Sequence, residues 1–157
     1  MNILILYPDN KNVITGNLCS ALQYQKILQG LGYSVDVDFK YTGQRAEVLI
    51  AINAAKKNSE IIEFKARNSN AKIVSVLSGT DIYPDPLEKT IESMKQSNAL
   101  VALQPDGLLK VPECYREKTF LIYTDGVTEG YLRNGQELGV EAVSYTHLRA
   151  HETKANL

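Results

Sequence analysis

The stretch Lys72–Asp85 reads K-I-V-S-V-L-S-G-T-D-I-Y-P-D, and its interpretation decides the fold. An apolar run, Ile73–Leu77, stops at Ser78-Gly79-Thr80-Asp81. A short apolar run closed by a glycine turn is the pattern of a buried parallel strand. In an open α/β sheet, ligands bind beyond the carboxyl ends of such strands. Two hydroxyls, a glycine that permits close approach and a carboxylate would then stand where a small polar ligand binds. The same residues also suit an ordinary strand-to-helix turn capped by Thr80 or Asp81.

Outward from this stretch, strand and helix patterns alternate. Ile3–Tyr7 reads as a first buried strand and Pro8–Gly16 as a polar loop. Asn17–Leu31 places Leu18, Ala21, Leu22, Ile27, Leu28 and Leu31 at helical spacing, and Gly32 follows as a C′ glycine. Ser34–Phe39 alternates apolar and polar residues as a second strand, and Val48–Ile52 is a third. Lys56–Arg67 has a helical pattern with Ile61, Ile62, Phe64 and Ala66 as its apolar members. Leu87–Lys95 reads as the next helix, followed by strands at Ala99–Leu103 and Thr119–Tyr123. This alternation implies an α/β fold, a Rossmann-like parallel sheet with right-handed crossovers and helices on both faces.

The 157 residues suffice for one domain with a sizeable core. The hydrophobic content of 44% and charged content of 22% are those of a globular protein, read here as cytoplasmic. A net charge of -1 offers no electrostatic footprint for nucleic acid or an anionic membrane. No apolar run approaches a membrane span. Cys19 and Cys114 fit a reducing compartment, and neither has a histidine beside it.

Several strand ends converge if this sheet is correct. Gly16-Asn17 at a helix start offers free backbone N–H groups and a favourable dipole to an anion. Lys56 and Lys57, after Asn53, add cations at the neighbouring strand end, unless they are simply a solvated helix start. Gln104-Pro105 is a further polar strand end, read equally as a ligand contact or a proline-terminated turn. There is no G-x-G-x-x-G fingerprint and no G-K-[ST] phosphate loop.

The segments Gly16-Asn17 with Ala21-Leu22, Leu31-Gly32-Tyr33, Leu49-Ile50-Ala51 before Asn53-Ala54, Leu77–Tyr83, Leu103-Gln104-Pro105 and Ile122-Tyr123 together resemble the N-terminal half of a GT-B glycosyltransferase. Within that class they are similar to the selenosugar synthases of selenoneine biosynthesis, over residues 2–123. The resemblance implies a truncated enzyme that transfers a sugar from a UDP-sugar to a small anionic acceptor, selenophosphate, with release of UDP. It implies that the missing C-terminal half mainly holds the UDP-sugar and that residues 1–123 form the acceptor-side domain. Gly16, Asn17, Asn53, Lys56, Ser78, Gly79, Thr80 and Gln104 are then the acceptor-binding candidates. Asp81 is the catalytic candidate, orienting a hydroxyl or a water, or else it caps the turn. No cofactor and no metal site is implied. The chain departs from the family at Asn53, where a histidine is usual with an arginine close behind. Asparagine donates a hydrogen bond but carries neither charge nor a proton. A non-catalytic α/β module that binds a small anion is the alternative of a different class.

Two further resemblances concern the C-terminal part. Leu121–Glu129 reads L-I-Y-T-D-G-V-T-E and is similar to an element of PPM-type phosphatases in which the residue at Asp125 helps bind a divalent metal. The upstream ligand elements of that family are missing, so no metal site is assigned to Asp125. Residues 124–142 are left open between a chimeric join near Tyr123 and chance similarity. Val143–Thr153 reads V-S-Y-T-H-L-R-A-H-E-T and resembles a translated sequencing adapter, which implies that residues 143–157 are an artefactual tail. His147 and His151, the chain's only histidines, lie in that tail, and their i, i+4 pair is discarded as a metal site.

Overall fold

A computed structural model describes residues 1–8 and 15–122. The expectations at Asp125, in residues 124–142 and in the tail lie outside these residues. The described part is an α/β domain, Rossmann-like, with one six-stranded, all-parallel sheet in the order β2-β1-β3-β4-β5-β6. The strands are β1 (Asn2–Leu6), β2 (Ser34–Asp38), β3 (Val48–Ile52), β4 (Lys72–Leu77), β5 (Ala99–Ala102) and β6 (Thr119–Leu121). The helices are α1 (Gly16–Gly30), α2 (Asn58–Arg67), α3 (Glu88–Gln96), α4 (Pro105–Lys110) and α5 (Glu113–Arg116).

The near-continuous apolar runs of β1, β3 and β4 follow from their place inside the sheet, where both faces are covered. Leu4, Leu6, Leu49, Ala51 and Ile73 point to one face and pack with Ile61 and Phe64 of α2. Ile3, Ile5, Ile52 and Val76 point to the other and pack with Ala21, Leu18, Tyr24 and Leu28 of α1. The helices take opposite faces because the chain steps one way from β1 to β2 and the other way from β3 onward. Crossovers of one hand then put α1 on one face and α2 and α3 on the other.

Thr15 caps α1, its hydroxyl accepting the Leu18 amide at 3.3 Å. Gly32 ends the helix at φ 87°, with its amide on the Gln29 carbonyl and the Tyr33 amide on the Leu28 carbonyl. Those two bonds form a Schellman motif, which needs the left-handed residue that glycine supplies. The expected apolar stripe of this helix is only half buried. Leu22, Ile27 and Leu31 are exposed: at 100° per residue Leu22 and Ile27 fall to either side of the Ala21, Tyr24 and Leu28 face, and Leu31 is the C-cap residue beyond the last helical turn.

Two local expectations are corrected. α2 begins at Asn58 rather than Lys56, because Asn53–Lys57 forms a turn in which the Lys57 amide bonds the Asn53 carbonyl at 3.1 Å. Gln104-Pro105 does not merely end a strand: Gln104 is the extended N-cap of α4 and Pro105 occupies its first turn, where its missing N–H costs nothing. Helices of six and four residues are too short to register as a hydrophobic period.

Candidate functional site

The sheet order reverses between β1 and β3, so the topological switch point lies between their carboxyl ends. β3 runs into Asn53 and β4 into Ser78. α1, which follows β1, presents its start at this same edge. The amides of Gly16 and Asn17 have no acceptor among the described residues, and α1 carries no acidic residue in its first turn. Gly16 is exposed, and a Cβ built on it would meet nothing within 4 Å.

Asn53 adopts φ 65°, a left-handed conformation that asparagine tolerates better than most residues. It is 2% exposed, and its side chain serves the loops on both sides. Its Nδ2 donates to Thr80 Oγ1 at 3.1 Å, and its Oδ1 accepts the Lys56 amide at 3.1 Å. Its backbone amide donates to the Val76 carbonyl at 3.0 Å. Asn53 therefore positions Lys56 and Thr80, both exposed, and offers little surface to a ligand.

Of the two roles open to Asp81, its contacts serve capping. The residue is 0% exposed. One carboxylate oxygen accepts the Ala54 amide at 2.7 Å and the other the Ser78 amide at 2.9 Å. Burial pushes the carboxyl above its ordinary value of 3.8, against the pull of the amides of Ala54, Asp81, Ser78 and Gly79. The catalytic expectation for Asp81 is corrected on this ground: a fully enclosed carboxylate holding two amides has no face turned to a reacting group. Gly79 adopts φ 114°, a conformation that favours glycine, and a Cβ built on it would meet no protein atom within 4 Å.

The two lysines divide. Lys56 is exposed, whereas Lys57 is 5% exposed and structural. The Lys57 Nζ donates at 2.6 Å to the Phe39 carbonyl and at 2.6 Å to Glu60 Oε1, tying the end of β2 to α2. Gln104 is exposed and shares the wall of a small cavity with Ser78 and Gly79. The structure thus joins Asn53, Lys56 and Thr80 in one hydrogen-bonded set, and Ala54, Ser78 and Asp81 in a neighbouring one. Gly16 and Asn17 remain on the α1 start, and Gln104 at the end of β5.

The supports beneath these sets come from α3 and were missed in the sequence. Thr90 Oγ1 donates to the Asp81 carbonyl at 2.6 Å, and Ser93 Oγ donates to the Ala54 carbonyl at 2.7 Å. Ser97 Oγ lies 2.7 Å from Ser75 Oγ inside the sheet layer. Thr90, Ser93 and Ser97 are all buried. Their helical spacing is visible in T-x-x-S-x-x-x-S, but polar residues at such spacing ordinarily mark a solvated face.

No protein-family model matches the chain, and no curated protein matches it. Among the described residues, no group of three or more His, Cys, Asp or Glu side chains could hold a metal, and no helix is long and apolar enough to cross a membrane.

Proposed function

We propose that the chain is the acceptor-side domain of a cytoplasmic GT-B glycosyltransferase that joins a sugar from a UDP-sugar to a small anionic acceptor, selenophosphate being the candidate. The observation that carries this reading is the topological switch point between β1 and β3, with the Gly16 and Asn17 amides, which have no acceptor among the described residues, at the same edge as exposed Lys56. Amides at a helix start and a lysine are suited to a compact, highly charged anion. In the transfer, a lone pair of the acceptor anion forms the new bond to the anomeric carbon while the bond to UDP breaks and UDP leaves with that electron pair. Such an acceptor needs positioning and charge neutralisation more than a general base. Asp81, fully enclosed, is accordingly not asked to remove a proton.

Two experiments test the reading. A nitrogen-15 amide titration of this chain with inorganic phosphate is expected to shift Gly16 and Asn17; unmoved amides would overturn the anion site. A long DNA read across the locus past codon 157 tests the enzyme. A frame that continues into a second α/β domain, with selenosugar formed by its product from UDP-N-acetylglucosamine and selenophosphate, is the expected outcome. A gene ending near codon 157 would leave the second reading, a non-catalytic module that binds a small anion. That second reading is favoured by the full engagement of Asp81 and Asn53 in holding loops.

A further inference from the structure

The carboxyl ends of β4 and β5 enclose a cavity of about 190 Å³. Leu77, Ile82 and Leu103 form its apolar wall, and Ser78, Tyr83 and Gln104 bring polar groups to it. No charged side chain lines it among the described residues. The hydroxyl oxygens of Ser78 and Tyr83 are buried and lack a hydrogen-bond partner. Among the described residues the Tyr24 hydroxyl is the one other buried side-chain atom in that condition, so two of the three orphans fall in a single wall. Leaving a buried hydroxyl unpaired is costly, and native proteins do so rarely.

We propose that this cavity binds an uncharged, ring-sized, hydroxylated molecule, its apolar face on Leu77, Ile82 and Leu103 and its hydroxyl groups bonded to Ser78 Oγ and Tyr83 Oη. Size sets the ring: 190 Å³ exceeds the roughly 150 Å³ cavity that takes benzene and falls short of the roughly 300 Å³ where drug-sized pockets begin. Electrostatics set the charge. The Tyr83 phenol is held above its ordinary value, first by burial and then by the negative charge of Asp106, against the opposing charge of Lys110. The nearby cation, Lys110, is engaged with Asp85 at 2.7 Å. Neither an anionic nor a cationic guest would find an opposite charge in the wall among the described residues. Gly107 closes the floor, where a Cβ would lie 3.3 Å from Tyr83 Oη. The site is separate from the anion site at the start of α1 and does not depend on it.

A pyranose and a hydroxylated aromatic ring share the required chemistry. Amide titrations of this chain with methyl α-glucopyranoside and with resorcinol distinguish them, with inorganic phosphate as the charged control. One ring probe is expected to shift the Gly79 and Gly107 amides saturably, and phosphate is expected to leave them in place. Tyr83→Phe and Ser78→Ala remove buried unpaired oxygens, so both variants should fold at least as stably as the parent. Each should nonetheless weaken the ring probe about fivefold or more, the loss of one hydrogen bond. The proposal is overturned if neither ring shifts these amides, if phosphate does, or if both variants keep the parent affinity. Because the anion site is read at Gly16 and Asn17 in the same spectra, failure of one site is told apart from failure of the other.

Discussion

The Asp81 carboxylate accepts the Ala54 amide at 2.7 Å, and this bond joins the end of β3 to the loop after β4. The other oxygen holds the Ser78 amide, so one buried side chain sets the spacing of two neighbouring strand ends. α3 braces both partners, through Thr90 on the Asp81 carbonyl and Ser93 on the Ala54 carbonyl. Any ligand at this edge meets loops whose shape depends on that pair.

Asp81→Ala strands both amides, and an unsatisfied buried donor costs about 1–3 kcal/mol. Urea unfolding is expected to show a loss of about 3 kcal/mol with an unchanged slope, and Asp81→Asn a smaller loss because one acceptor survives. The pH dependence has a defined sign. Because burial raises the folded-state value, the native state holds its proton longer than the unfolded chain. Stability therefore falls as pH rises from 3.8 through the raised value, and Asp81→Asn removes that slope. Loss of the proposed transferase activity in a fully stable Asp81→Asn variant would contradict the capping role.

Glu60 titrates in the opposite sense. Burial alone would raise the Glu60 carboxyl, but the hydrogen bond and charge of Lys57, helped by the Ser59 hydroxyl and the Glu60 amide, hold it below its ordinary value of 4.5. The stability it contributes is present above 4.5 and lost as pH falls through the lowered folded-state value. Acid unfolding of Glu60→Gln is expected to lack that component. Lys57→Met leaves Glu60 and the Phe39 carbonyl without their shared donor and should cost about 3 kcal/mol at neutral pH in the same assay.

Gly16→Val probes the proposed anion site without disturbing the fold. The added side chain has open space around it, so the melting temperature should change by only a few degrees. It would nevertheless stand over the amides that an anion must approach. Phosphate affinity, measured by calorimetry, should fall by several-fold; equal affinity in the folded variant would argue against binding at the α1 start.

Asn53 separates backbone strain from hydrogen bonding. Asn53→Gly accepts φ 65° freely and loses only the bonds to Thr80 and Lys56. Asn53→Ala loses the same bonds and adds a left-handed cost of about 1–2 kcal/mol. Thermal denaturation should rank the parent above the glycine variant and the glycine variant above alanine. A glycine variant as unstable as alanine would show that the bonds, not the conformation, govern this turn.

Most strands and the first three helices were legible because each carries a repeating pattern or a boundary residue. β3 at Val48–Ile52 matched its apolar run, and Gly32 marked the end of α1. α4 and α5 were not legible, being too short to repeat a pattern. In the candidate site, Gly16, Asn17 and Lys56 were recognisable as polar positions near strand ends; Gly16 and Lys56 are exposed and Asn17 is half-buried. The roles of Asp81, Asn53 and Lys57 were not, since a polar residue after a strand reads alike whether it faces solvent or is enclosed.

The sequence by itself determined the class of the fold: local alternation of short apolar runs and helical periods admits a parallel sheet with crossovers and little else. It also placed the polar residues at the carboxyl edge, because a strand end is a local signal. Only the tertiary structure decided which of them are enclosed. Asp81 is 0% exposed because Ala54, Ser78 and Thr90 converge on it from separate elements. The cavity by Ser78 and Tyr83 likewise needs β4, β5 and α4 brought side by side. Enclosure is a property of several segments at once, and no single stretch of chain contains it.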